Sequence, residues 1–199
     1  MSIFNPNRRA AASFDTPAPP RRQFLKTGGV ALASAAMAGN AMAAVPASNS
    51  PERTLRLYNA HTGEQSNTVY WANGIYQPDG LSEVSRLLRD HRSNQVGDMN
   101  KGLLDLLFLL SSALDTQERF QVISGYRSPA TNAMLQKKSK SSGVATRSLH
   151  MDGLAIDIRV PGRDLADVRR AAIALQGGGV GYYPESDFVH VDIGRVRTW

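Results

Sequence analysis

Two short apolar segments late in the chain carry polar residues on one face, and this pattern most restricts the possible folds. In "LAIDIRV", residues 154 to 160, Ala155 and Asp157 share one face while apolar residues occupy the other. In "DFVHVDIG", His190 and Asp192 share one strand face in the same way. Burying an unpaired carboxylate is prohibitively costly. The fold must therefore bring a metal ion, an arginine or backbone amides to these aspartates.

A third residue makes a metal the most interesting of these partners. His150 precedes Asp157 by seven positions, and Gly153 between them allows a sharp turn from loop into strand. If the two strands are neighbours, His150, Asp157 and His190 could supply two nitrogens and one oxygen to a tetrahedral Zn²⁺ with one position open for water. Such a site is catalytic in form, because zinc lowers the pKa of its bound water to about 7. The chain has no cysteine, which excludes thiolate ligands. On spacing alone, a hydrogen-bonded turn or a buried ion pair with an arginine is the commoner arrangement.

The first 43 residues are typical of an export signal rather than of a folded domain. Arg21 and Arg22 stand before "QFLK", a weakly apolar run rich in Ala and Gly follows, and "AMA" at 41 to 43 suits a signal peptidase. The paired arginines resemble the twin-arginine type of bacterial signal, so we expect the twin-arginine export machinery as a partner and a periplasmic location. The alternative is an uncleaved tether, since the run from 27 to 43 is at the short limit for a membrane span. No stable membrane span is expected in the mature form.

Most of the positive charge belongs to this signal. The whole chain has a net charge of +6, but residues 44–199 hold 18 Lys and Arg against 16 Asp and Glu, a net charge of +2. A nucleic-acid partner therefore loses its main support, and none is expected. The length of the remaining chain suits one domain. We predict a flexible lead-in at 44–53 and a single folded domain at 54–199.

The pattern of that domain predicts an α+β fold, in which helices pack around a central, largely antiparallel sheet. The predicted helices cover 79–92, with His91 in the last turn, 100–115, 129–138 and 163–175; the predicted strands form a hairpin between 54 and 74, then 120–125, 154–160 and two strands around a turn at Pro184. A polar loop at 139–148 is long enough to be a mobile flap over a site.

Three motifs together resemble the zinc D-Ala-D-Ala metallopeptidase superfamily, whose fold is shared with the hedgehog signalling domain. They are "SGYRS" at 124–128, "SLHMDGLAID" at 148–157 and "FVHVD" at 188–192, and the string S-x-H-x-x-G-x-A-x-D is matched at every fixed position. The twin-arginine start and the carboxyl-terminal segment resemble the exported murein endopeptidase branch, whose members cut peptide cross-links of peptidoglycan. The resemblance covers about residues 52–199.

The resemblance implies roles for individual residues. It implies that one Zn²⁺ binds to His150, Asp157 and His190, and that the residues behind the ligands or beside the substrate are Tyr126, Ser148 and Asp192. Ser148 is expected to support His150 by a hydrogen bond, because metal-bound imidazoles need their other nitrogen fixed. Arg127 matches the arginine that faces the substrate carbonyl oxygen or carboxylate, where a guanidinium stabilises a developing oxyanion.

The resemblance also points to a general base. In the D,D-dipeptidases this is a glutamate three residues before the last histidine, and Asp187 holds that position here. Because Asp187 and His190 have opposite parity on an ideal strand, the assignment requires a bend at Ser186 or Asp187. Glu185 and Asp192 are the alternatives, and Asp192 could instead orient a ligand.

The implied function is hydrolysis of amide bonds in the stem-peptide cross-links of peptidoglycan by an exported zinc peptidase. Two alternatives stay open. One is a D,D- or L,D-carboxypeptidase of the same fold. The other is a zinc-containing cell-wall binding domain without catalysis.

Overall fold

The computed structural model of the protein describes residues 51–138 and 145–199. The predicted export signal, most of the lead-in and residues 139–144 of the predicted flap lie outside the described residues. The strands are β1 Glu52–Asn59, β2 Gln65–Ala72, β3 Ile75–Tyr76, β4 Phe120–Ser124, β5 Ala155–Arg159, β6 Gly179–Tyr183, β7 Phe188–Asp192 and β8 Arg197–Thr198. The helices are α1 Pro78–Leu87, α2 Lys101–Ala113, α3 Pro129–Lys138 and α4 Leu165–Ala174, and short 3₁₀ turns span Leu149–Asp152 and Pro184–Ser186. None of the described helices is both long enough and apolar enough to span a bilayer.

The strands form one sheet in the order β3-β2-β1-β4-β5-β7-β6-β8. The pairs β1/β4 and β6/β8 are parallel, and the other neighbours are antiparallel. The prediction of a mixed α+β fold with a largely antiparallel sheet is confirmed. Strand β1 begins two residues before the expected start of the domain.

The core lies on one face of this sheet and is centred on α2. Asn100 caps the helix by accepting a hydrogen bond from the Gly102 amide at 2.9 Å. Four leucines of α2 are fully buried, namely Leu103, Leu104, Leu107 and Leu110. They share a cluster with the apolar residues of β5 and β7, Ile156, Ile158, Val189 and Val191. These strands therefore turn their apolar residues to the core and leave their opposite face for the polar residues.

The first predicted helix ends earlier than expected. It stops at Leu87, so His91 lies beyond it rather than in its last turn. The cause is Asp90, whose carboxylate accepts hydrogen bonds from the backbone amides of Arg92 at 2.9 Å and Ser93 at 3.4 Å. An aspartate that bonds nearby amides in this way favours a turn over a continued helix.

Candidate metal centre

The pairing of β5 with β7 brings the two polar segments together. These strands are antiparallel neighbours in which Asp157 lies opposite His190 and Ala155 lies opposite Asp192. Directly opposed residues share one sheet face, with their Cβ atoms about 4.5–5.5 Å apart. The alternation in the sequence therefore places the carboxylate and the imidazole side by side, on the face away from the core.

His150 reaches the same point from the 3₁₀ turn that precedes β5. Gly153 ends this turn in the left-handed conformation with φ of 66°, which confirms the sharp turn that was predicted there. The Arg127 amide donates to the His150 carbonyl oxygen at 3.1 Å and holds the turn against the segment after β4. The ring Nδ1 of His150 donates to the Gly125 carbonyl oxygen at 2.8 Å. This bond leaves Nε2 of His150 to face the other two residues.

The three facing atoms have the separations of ligands on one ion. Asp157 Oδ1 is 2.9 Å from His190 Nδ1 and 3.4 Å from His150 Nε2. The two histidine nitrogens are 3.3 Å apart. Ligands about 2.0–2.1 Å from a tetrahedral zinc lie about 3.3 Å from one another. The donor set therefore fits Zn²⁺ in both ligand type and spacing.

The second nitrogen of His190 is fixed by Asp192. His190 Nε2 donates to Asp192 Oδ2 at 2.9 Å, and the carboxylate is fully buried. Asp192 also accepts from Arg197 at 2.8 and 3.1 Å and from the Gly179 and Gly194 amides. Burial raises the pKa of Asp192, but the hydrogen bonds from His190 and Arg197 outweigh it and hold the pKa well below its usual range. Asp192 thus fixes the orientation of the His190 ring.

The surroundings of the donor atoms favour positive charge. Burial lowers the pKa of His190, but its hydrogen bonds to Asp157 and Asp192 outweigh burial and raise the pKa to about 9. Burial raises the pKa of Asp157, but the charges and hydrogen bonds of His150 and His190 hold it well below its usual range. A proton on His190 balances the negative charge of the neighbouring carboxylates, as a divalent cation would.

Arg127 lies beside the donors and is loosely held. Its side chain is 12% exposed, and its Nη2 atom is 3.8 Å from Asp157 Oδ2 and 3.4 Å from Ser124 Oγ. Its Nη1 atom is 3.5 Å from Asn132, and its buried Nε has no hydrogen-bond partner among the described residues. Burial lowers the pKa of the guanidinium despite the nearby charge of Asp157. The group can therefore turn to a ligand without breaking a strong contact.

The three candidate metal donors and the Arg127 guanidinium line one cleft of about 350 Å³. The described residues that line it are Arg127, Ala145, Arg147, Ser148, Leu149, His150, Asp157, Tyr183, Phe188, His190, Arg197 and Trp199. Ser148 is buried, but the Gly125 carbonyl makes the bond to His150 that was predicted for it. Tyr126 is half-buried, packs against Gly97 and is not among the described residues that line the cleft.

Of the three candidate bases, Asp192 contacts the ring of His190, whereas Asp187 and Glu185 are not among the described residues that line the cleft. The predicted bend is present, because Asp187 follows the turn Pro184–Ser186 with φ of 53°. Its carboxylate is 62% exposed and pairs with Arg159 at 2.8 Å instead of facing the cleft. Glu185 is exposed on the same turn.

Sequence reasoning missed part of the cleft wall. The missed residues are Arg147, Tyr183, Phe188, Arg197 and Trp199. Arg197 could have been expected, because the buried Asp192 requires a donor of opposite charge. The aromatic residues carry no such signal, since a core could equally bury them.

An α+β fold with a largely antiparallel sheet, and a His-Asp-His donor set formed by two paired inner strands and the turn before one of them, defines a protein of the zinc D-Ala-D-Ala metallopeptidase superfamily. A family model described as "Peptidoglycan L,D-endopeptidase MepK" matches residues 47–199, and the chain belongs to this family. The peptidoglycan L,D-endopeptidase MepK of Escherichia coli (strain K12) is 40% identical over 179 residues, which cover 90% of this chain and 96% of that protein. The protein of the same name from Shigella flexneri gives the same values. The probable peptidoglycan L,D-endopeptidase MepK of Haemophilus influenzae is 39% identical over 180 residues, or 90% of this chain and 95% of its own.

Proposed function

We propose that the protein is a zinc-dependent peptidase that hydrolyses amide bonds in the peptide cross-links of peptidoglycan, in particular bonds of the L,D type named for its relatives. The observation that carries this proposal is the donor set of two histidines and one aspartate, with separations of 2.9 to 3.4 Å, beside an arginine in an open cleft. Family membership and the length of the match support it.

The residues that would hold the ion are His150 through Nε2, His190 through Nδ1 and Asp157 through a carboxylate oxygen. When bound with one position open, Zn²⁺ lowers the pKa of a water molecule to about 7 and so supplies a nucleophile at neutral pH. Asp192 keeps the proton of His190 on Nε2, which leaves the lone pair on Nδ1. The Gly125 carbonyl does the same for His150.

Arg127 would stabilise the charge that develops on the substrate carbonyl oxygen. Its guanidinium lies in the cleft, is largely buried and makes only long contacts of 3.4 to 3.8 Å with its neighbours. Charged donors directed at the charge that develops in the transition state contribute strongly to such stabilisation.

Asp187 would remove a proton from the attacking water and return it to the leaving amine, so that water and the amide yield a carboxylate and an amine. For this the carboxylate must leave Arg159 and turn toward the cleft. The ion pair between them is exposed, and exposed pairs contribute only about 0–1 kcal/mol. The rearrangement is therefore inexpensive.

Digestion of purified murein sacculi tests the proposal. We expect the protein to release muropeptides with opened cross-links, EDTA to stop the release and added Zn²⁺ to restore it. His150→Ala should be inactive. Release of single terminal amino acids would indicate the carboxypeptidase alternative. Sedimentation with sacculi without any released product would indicate the cell-wall binding alternative and would contradict the proposal.

We also propose that residues 1–43 direct the protein to the periplasm through the twin-arginine export machinery. Peptidoglycan lies outside the cytoplasmic membrane, so the proposed substrate requires export. The paired Arg21 and Arg22 supply the recognition feature.

A further inference from the structure

Arg147 stands in the same cleft as the metal donors and, among the described residues, has no carboxylate partner. Its side chain is exposed. Arg197, which also lines the cleft, is tied to the buried Asp192 at 2.8 and 3.1 Å. Besides Arg127, the cleft therefore contains one arginine that is paired within the fold and one whose charge is available to a ligand.

The charges around the cleft favour an anion. Among the described residues, three arginines and a single carboxylate, that of Asp157, line it. Asp157 belongs to the metal donors, and Arg197 is already compensated by Asp192. The charges of Arg127 and Arg147 then add to that of the ion. Clefts lined by charge of one sign concentrate ligands of the opposite sign.

The wall formed by β6 and β7 has a different character. Tyr183 and Phe188 stack with ring centroids 4.6 Å apart, and Trp199 Nε1 donates to the Tyr183 hydroxyl at 2.7 Å. This aromatic side suits apolar parts of a ligand. Arg147 suits a charged group of the ligand instead.

Arg147 is also close in the chain to the reacting centre. It directly precedes Ser148, the residue before the short turn that presents His150. Because Arg147 also lines the cleft of the donors, a group bound by Arg147 would share this cleft with the bond that is cut. When two stem peptides are joined through a side-chain amine, the amino acid that supplies the amine keeps its own α-carboxylate beside that bond.

We infer that Arg147 binds a free carboxylate of the stem peptide next to the scissile bond and makes the protein selective for cross-links in which this carboxylate is not amidated. The inference rests on the proposed function and adds the substrate group that the cleft recognises. Arginine suits this task because its planar fork matches a carboxylate with two hydrogen bonds.

The test uses two synthetic cross-linked peptides that differ only in whether this carboxylate is free or amidated. The proteins are the full-length chain loaded with Zn²⁺ and its variants Arg147→Gln, Arg147→Lys and Arg170→Gln. Arg170 lies on α4 with its side chain 72% exposed, so its variant removes the same charge outside the cleft.

We expect the wild-type protein and Arg170→Gln to cleave the free-carboxylate peptide with a kcat/KM roughly 10- to 100-fold higher than that for the amidated peptide, because the amidated peptide lacks one charged hydrogen bond. Arg147→Gln should lose this preference, mainly through KM, and Arg147→Lys should keep part of it. Equal cleavage of both peptides by the wild-type protein, or an unchanged preference in Arg147→Gln, would overturn the inference.

Calorimetric titration with the same peptides, on proteins from which a chelator has removed the metal, separates this inference from the proposed function. Tighter binding of the free-carboxylate peptide that is lost in Arg147→Gln supports the inference even where no hydrolysis occurs, and absent hydrolysis by the zinc-loaded protein would then refute only the proposed function. Equal affinity for both peptides counts against the role of Arg147 whether or not the protein is an enzyme.

Discussion

Asp187 and Arg159 form an exposed ion pair within three positions of the candidate ligands His190 and Asp157 in the chain, and each can be removed separately. Asp187→Asn should lower kcat roughly 10²- to 10⁴-fold with little change in KM, because it removes a general base without removing bulk. Arg159→Gln should retain or raise kcat, since it frees the carboxylate from its 2.8 Å contact. Steady-state kinetics on a cross-linked peptide, with zinc content measured for each variant, checks both. Full activity in Asp187→Asn would move the base elsewhere, and Glu185→Gln is then the next variant.

Arg197 supports His190 through Asp192. Arg197→Gln should weaken zinc binding roughly 10- to 100-fold, because residues that orient a ligand contribute about that much to metal affinity. Arg197→Lys should recover part of it. Competition against a chromophoric chelator measures the affinity directly, without any need for activity. Arg195→Gln, an exposed neighbour two positions earlier, is the matched control. An unchanged affinity in Arg197→Gln would mean that Asp192 holds His190 unaided.

At this scale the sequence predicts residues whose burial demands a partner. Asp157 and Asp192 in apolar strands had to meet a metal ion, an arginine or backbone amides. Asp192 meets Arg197 and two backbone amides, and Asp157 lies among His150, His190 and Arg127. Asp187 is different, because its direction depends on Arg159, a residue 28 positions away whose contact no local pattern reveals. The hydrogen bond to His150 that was predicted for Ser148 is made by the Gly125 carbonyl for a similar reason, since a backbone carbonyl can make the same bond as a hydroxyl.

Gly153 ends the short turn that presents His150 and leads directly into β5. A Cβ atom there would lie 2.0 Å from the Asp98 carbonyl oxygen, and φ is +66°. Gly153→Ala should therefore lower the free energy of unfolding by about 2–4 kcal/mol. Gly63→Ala is the control, with φ of +73° but no atom within 4 Å of the added Cβ, and should lose only about 1 kcal/mol. Urea unfolding of both variants measures the difference, and equal losses would show that the clash with Asp98 is relieved.

Asp90 joins the end of α1 to the start of α3. Its carboxylate is 2% exposed and accepts from the Ser128 amide at 2.9 Å and the Ser128 hydroxyl at 2.6 Å. Burial raises the pKa of Asp90, but these hydrogen bonds outweigh it and hold the pKa well below its usual range. A carboxyl with a lowered folded-state pKa stabilises the fold above its unfolded-state pKa of about 4, and this contribution is lost as the pH falls further.

Asp90→Asn should consequently be less stable than the wild-type protein at pH 7, and the difference should shrink as the pH falls below about 4. Chemical unfolding at several pH values measures it. Asp79→Asn, at an exposed position of α1, is the control and should show little change at any pH. A constant difference across the pH range would mean that the carboxylate charge is not involved.

The elements were predictable where alternation or helical spacing was strong, as in α2, β5 and β7. The end of α1 was not, because the acceptor that stops it is anchored to Ser128, 38 residues further on. The sequence also could not show the pairing of Asp157 with His190. Register depends on how two strands meet, and each strand alone is silent about it.

At the scale of the whole molecule, the amino-terminal arginines allow a test of export. The double variant Arg21→Lys, Arg22→Lys should stay in the cytoplasmic fraction, because the receptor recognises the arginine pair. The chain offers an internal control in the pair Arg8 and Arg9, whose replacement by Lys should not change the location. Cell fractionation followed by immunoblotting gives the result. Normal export of the first variant would exclude the twin-arginine route.

Asp157 and His190 are 33 positions apart in the chain and meet only once β5 and β7 have paired, and His150 joins them from the turn before β5. An unfolded chain thus offers the ion no assembled chelate, and the energy of capture is added to the energy of folding. Metal occupancy and the local stability of β5 and β7 should therefore rise and fall together. Removal of a bound metal ion should destabilise these two strands before it destabilises the hairpin of β1 and β2. The rate of hydrogen exchange at the amides of β5 and β7 would then report metal loading, even in the absence of substrate.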